Sequence, residues 1–94
     1  MQNKVTEERL ETYFRLTEEA YKKAVESKEK VKLDKAREKI LDMAKRYIDD
    51  AHYFKKKGDI VTAISALSYA HGLLDAGALL GIFDAHDSNL FIVD

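Results

Sequence analysis

Ser68, His71 and Asp75 stand three and four residues apart, in the order of a nucleophile, a base and a carboxylate. On an α-helix, at about 100° per residue, the three fall within about 60° of one another. One straight helix does not line them up in the required chain of hydrogen bonds, and it supplies no oxyanion hole. His71 and Asp75, at the edge of an apolar stripe, are instead expected to form a hydrogen-bonded pair that satisfies two half-buried polar groups. No catalytic residue is assigned.

Other polar combinations are weaker. Asp49 and His52 have the spacing of half a di-iron carboxylate site, but that chemistry needs matching Glu and Glu-x-x-His groups pointing inward from facing helices. Here both project away from the apolar face of their segment. Asp84, His86 and Asp87 offer a metal one imidazole in a loop, so no metal is expected, and no cofactor either. Arg46 and His52, as R-x5-H, resemble the short signature of a helical RNase superfamily. With sixteen basic residues and three histidines such a match arises easily, and the two side chains diverge by about 120° around a helix. "FKKKGDIVTAISALSYA" looks like the turn of a tetratricopeptide repeat, but one copy is no array, since stacking needs about three.

Composition sets the frame for these residues. Ninety-four residues allow one domain with a modest core. The chain has no Cys, which removes disulfides, thiolate metal sites and thiol nucleophiles together. The start, "MQNKVTEERLETYF", carries charges where a signal peptide needs an apolar stretch, so a cytoplasmic protein is expected. All sixteen basic residues lie in residues 1–57 with twelve acids, a net of 16 − 12 = +4; residues 58–94 hold five aspartates and no base, a net of −5. The charged strip "ESKEKVKLDKAREK" mixes signs, whereas a nucleic-acid site would want one sign, so no nucleic acid is expected.

Apolar spacing predicts an all-α protein, an antiparallel three-helix bundle with a short irregular apolar C-terminal tail, spanning residues 1–94 as one domain. The first helix, about residues 6–28, starts with Thr6 as N-cap and buries Leu10, Tyr13, Thr17, Ala20, Tyr21 and Ala24. The second, about 34–57, takes Asp34 as N-cap and buries Ala36, Ile40, Met43, Ala44, Tyr47, Ile48, Ala51 and Phe54. Gly58 is placed where a left-handed residue ends a helix. Asp59 then caps the third helix, 60–80, and Gly81 stops it. Residues 82–94 form the tail, whose "LFIV" at 90–93 could lie against the bundle.

The third helix is unusual on its outside. Ile60, Ala63, Ile64, Leu67, Ala70, Leu74 and Ala78 make an ordinary core stripe, within which Ala63, Ala70 and Gly77 are small enough for a close helix approach. The reverse side, Val61, Thr62, Ser65, Tyr69, Gly72, Leu73, Ala76 and Leu80, carries no charge, and Ser68, Gly72 and Ala76 add a seam of small side chains. Leaving about 300 Å² of such surface in water forfeits roughly 7 kcal/mol at about 25 cal/mol per Å². The expected cover is the tail, a second copy or another protein. We therefore expect an interaction face of Val61, Ser65, Ser68, Tyr69, Gly72, Leu73, Ala76 and Leu80, used in a homodimer or against a protein partner. A small-molecule or nucleotide pocket near Tyr69, His71 and Asp75 is the alternative. Residues 60–83 are long enough to span a bilayer, but His71 and Asp75 sit near the middle, and a central Asp alone costs about 2.5 to 3.5 kcal/mol. No membrane is expected.

The stretch "FKKKGDIVTAISALSYAHGLLDAGALLG", residues 54–81, resembles a small archaeal family known as domain of unknown function 357. The resemblance is carried by Gly58-Asp59, Ala63, Ala66-Leu67, Tyr69-Ala70-His71-Gly72, Leu74-Asp75-Ala76 and Leu80-Gly81, and the charged two-helix lead-in is similar in kind. It implies an archaeal helical bundle with no established activity. In some chains a similar domain lies beside a nucleotidyltransferase-like domain; that companion is absent here, so no nucleotide chemistry is carried over.

Overall fold

The computed structural model describes the backbone of residues 2–93 and the side chains of residues 6–93; Met1 and Asp94 lie outside the described residues. Three helices follow one another: α1 (Gln2–Glu26), α2 (Ala36–Lys56) and α3 (Ile60–Leu80), with no strand among the described residues. Each antiparallels the one before it. Phe14 stacks on His52 near one end of the α1–α2 pair, and Arg37 reaches the Ala24 carbonyl at the other. α3 packs most extensively on α2, less on α1, while α1 and α2 touch least. The fold is a three-helix bundle in which α3 is the common partner.

Small residues let α2 and α3 approach closely. Ala44 and Ala51 on α2 and Ala63 and Ala70 on α3 are fully buried, because an alanine face brings backbones together without leaving voids. Leu10, Phe14, Thr17, Ala20 and Ala24 close the core from α1. Phe14 was absent from the expected stripe, while the expected Tyr13 and Tyr21 are half-buried. On α2 the expected core residue Met43 is exposed.

The turn between α2 and α3 forms as its residues dictate. Gly58 is left-handed at φ 81°; its N–H donates to Lys55 O at 3.0 Å, and that of Asp59 to Phe54 O at 2.9 Å. These paired bonds satisfy the last free carbonyls of α2. The Asp59 carboxylate then accepts from Thr62 N at 3.2 Å, capping α3. The same pattern ends α3, where Gly81 has φ 82° and Ile82 N donates to Gly77 O at 2.8 Å.

Two helix starts differ from expectation. α1 begins at Gln2, so Thr6 lies inside the helix rather than capping it, since nothing in Gln2 to Val5 breaks the ladder. α2 begins at Ala36 because Lys35 adopts a left-handed φ of 55°, and no side chain caps it. Asp34 is therefore outside the capping position. α1 ends at Glu26, where Arg37 from α2 donates to Ala24 O at 3.2 Å and Val25 O at 2.7 Å.

Candidate protein interface

The tail packs on its own bundle. Ile82, Phe83, Ala85, Leu90 and Phe91 are all buried. Its root is fixed to the α1–α2 connection, with Lys30 N and Val31 N donating to Gly81 O at 2.9 and 2.8 Å and Asp84 N to Lys28 O at 2.7 Å. The Phe83 ring covers the backbone of Gly77 and lies under the Arg37 guanidinium at 5.6 Å. Gly77 is thus small for this aromatic ring, not for a neighbouring helix.

His71 and Asp75 belong to the same arrangement. The Nε2–H of His71 donates to the Leu90 carbonyl, while Nδ1 lies 3.4 Å from the Thr17 hydroxyl on α1. A carbonyl can only accept, so in the neutral ring the proton sits on Nε2 and Nδ1 accepts from Thr17. Asp75 Oδ1 accepts from Ile92 N at 3.0 Å. The two side chains are 3.8 Å apart, within ion-pair reach, but the expected direct hydrogen bond gives way to bonds with the tail backbone. Among the described residues no buried side-chain nitrogen or oxygen lacks a partner.

This geometry answers the chemical readings one by one. Ser68 shares a shallow groove of about 270 Å³ with Tyr13, Thr17, His71, Gly72 and Asp75, yet both ring nitrogens of His71 are already engaged. Tyr69 stands apart from that groove, about 160° around α3 from His71, with its ring stacked on Tyr47 of α2 at 4.4 Å. Tyr69 does not line the groove that His71 and Asp75 share. His52 stacks on Phe14 and lies 3.1 Å from Glu18, whereas Asp49 lies 3.6 Å from Lys45. His86 pairs with Asp84 at 2.7 Å, but Asp87 turns to Lys23 and to Asn89 N, so the three do not converge. Among the described residues no group of three or more His, Cys, Asp or Glu is placed to hold a metal.

What remains uncovered is the outer side of α3. Val61, Ser65, Ser68, Tyr69, Gly72, Ala76, Leu79 and Leu80 are exposed, Val61 at 72% and Leu79 at 63%, while Leu73 is half-buried. Leu79 joins the expected set; eighteen residues after Val61, at about 100° per residue, it falls at the same angle round the helix, a place that was legible in the spacing. Of the three expected covers, the tail lies in the groove between α1 and α3 and leaves this strip open. Gly72 sits at its centre, and a Cβ there would meet nothing within 4 Å. A mid-helix glycine costs about 1 kcal/mol relative to alanine, and packing within the chain gives no reason for it.

A family model described as "Protein of unknown function (DUF357)" matches residues 12–83. The chain belongs to this family. The DUF357 match contains the whole outer strip of α3 as well as Thr17, His71 and Asp75, and it stops at the Phe83 ring. No curated protein and no solved structure matches the chain. α3 is also long and apolar enough to cross a membrane by length and composition; in the bundle its inner face is the core, with Leu67 and Leu74 fully buried.

Proposed function

We propose that this chain is a cytoplasmic, non-enzymatic helical module that associates with a second copy of itself, or with a protein partner, through the outer face of α3. The observation that carries this reading is the strip centred on Gly72, uncharged over its whole length in a chain that is 35% charged. Most outward positions of α1 and α2 are Lys, Arg, Glu or Asp, with Val25, Met43 and Tyr53 as isolated exposed apolar or aromatic residues; α3 puts Val, Ser, Tyr, Gly, Ala and Leu along a continuous strip. Such contiguous apolar surface on a small domain marks an interaction site. With no formal charge on the strip, two copies meet without like-charge repulsion, and a two-fold pairing is the commonest closed assembly. Nucleic acid, metal and membrane play no part in this reading.

The test is the solution mass by light scattering over a concentration series, for wild type and for Ala76→Glu and Leu79→Glu. Both positions are exposed in the monomer, so a new carboxylate there leaves the core intact. Wild type is expected to associate and the two variants to remain helical monomers. A wild-type monomer at every concentration that also captures no protein partner, or variants with unchanged mass, would count against the reading.

A further inference from the structure

The groove between α1 and α3 holds the tail by hydrogen bonds to its main chain and by apolar seats for its side chains. His71 and Asp75, one turn apart on α3, bond the carbonyl of residue 90 and the N–H of residue 92. Both contacts are to main chain, at the end of the turn over residues 88–90 and in the bend that follows it, so they read the backbone shape of the tail and are indifferent to its side chains. Specificity comes from the apolar seats of Leu90 and Phe91, 8% and 4% exposed, while Ile92 points away at 69%. Main-chain bonds combined with buried anchors are the general physics of peptide capture.

The segment in this groove is joined to the bundle by a short turn. Asp87 closes it, its carbonyl accepting from Leu90 N at 2.9 Å and Phe91 N at 2.8 Å and its carboxylate accepting from Asn89 N at 3.0 Å. Lys23 of α1 holds the same carboxylate at 3.3 Å. The residues before the turn are anchored separately through Phe83, Ala85 and the Asp84–Lys28 bond. Opening the turn at Asp87 would therefore release residues 88–93 without disturbing the root of the tail.

We propose that this groove is a peptide-recognition site whose occupant in trans is the same tail of a second copy, exchanged for the chain's own residues 90–93. A second copy presents identical Leu90 and Phe91 side chains and identical backbone groups to Thr17-buttressed His71 and to Asp75, so the contacts with the groove are reproduced in the exchange, and the bonds that Asp87 makes within its own turn are what the opening gives up. The exchange is reciprocal and closes as a two-fold pair. In a lone chain the tethered tail has the advantage of high local concentration. This surface borders the outer strip of α3 at Ser68 and Gly72, but its hydrogen bonds come from His71 and Asp75, and the inference does not rest on the strip.

The probe is a fluorophore-labelled peptide HDSNLFIVD, corresponding to residues 86–94, titrated against full-length protein and followed by anisotropy. Phe91→Ala, which weakens the tethered tail, is expected to bind it. Wild type is expected to bind roughly tenfold or more weakly, because its own tail competes. Adding Asp75→Asn and His71→Ala to Phe91→Ala is expected to abolish binding. Should Phe91→Ala fail to fold, Ile92→Pro, which removes the N–H taken by Asp75 at a position whose side chain is exposed and stiffens the backbone there, takes its place. No binding by either folded variant, binding by wild type equal to that of the variant, or failure of both variants to fold would each overturn the proposal, the last by showing the tail to be an inseparable part of the core.

Discussion

The ring of Phe83 rests directly on the backbone of Gly77, six residues before it, across the left-handed turn at Gly81. This contact reverses the chain at the end of α3 and sends the tail back over α1. A Cβ at position 77 would overlap the ring, so Gly77→Ala is expected to destabilise the fold by about 1 to 3 kcal/mol through overpacking. Gly72→Ala is the contrasting case. Nothing lies within 4 Å of a Cβ there, and the helix gains up to about 1 kcal/mol. Chemical denaturation of the two variants beside wild type, at a concentration where wild type is monomeric, checks both signs.

Arg37 joins three parts of the molecule. It donates to the carbonyls of Ala24 and Val25 and to Ser27 Oγ at the end of α1, and its guanidinium lies over Phe83. Arg37→Ala leaves terminal carbonyls of α1 without this partner and uncovers the ring, and is expected to cost about 1 to 3 kcal/mol. Arg37→Lys is expected to recover only part of that, since an ammonium cannot reproduce the planar fork. Denaturation midpoints of the two variants give the comparison.

Asp87 sets the acid response of the tail turn. The Asn89 N–H that its carboxylate accepts, with Lys23 adding to the effect, holds its pKa below the ordinary 3.8. A depressed carboxylate contributes stability that is complete above its unfolded value and is lost as pH falls through its folded value. The turn is therefore expected to hold throughout neutral and mildly acid conditions and to loosen only below about pH 4. The amide resonances of Asn89, Leu90 and Phe91 should move together in that range, and the movement should vanish in Asp87→Asn. Movement of the wild-type signals centred well above pH 4 would contradict the assignment.

The elements whose ends are written locally could be read from the sequence. Gly58, Asp59 and Gly81 act through their own backbone angles and one neighbouring turn, so the limits of α3 follow from residue type alone. The start of α2 could not be read this way, because Lys35 takes a left-handed angle that no local preference of lysine announces. Phe14 was missed for another reason. It stands beside Tyr13 on the helix, and spacing alone does not decide which of two adjacent aromatics turns inward. The partners of His71 lay further out of reach, since Thr17 is 54 residues away and Leu90 19. The charge-free side of α3 was legible because a missing charge is a property of composition and angle, whereas the path of the tail depends on the Gly77–Phe83 contact.

The central claim is that the outer strip of α3 is a contact surface. Amide chemical shifts of the uniformly labelled full chain, recorded over a dilution series, test it most directly. Concentration-dependent shifts are expected to cluster at Val61, Ser65, Tyr69, Gly72, Ala76, Leu79 and Leu80 and to disappear in Ala76→Glu. Spectra in which these residues stay fixed while the chain demonstrably associates through other positions would contradict it.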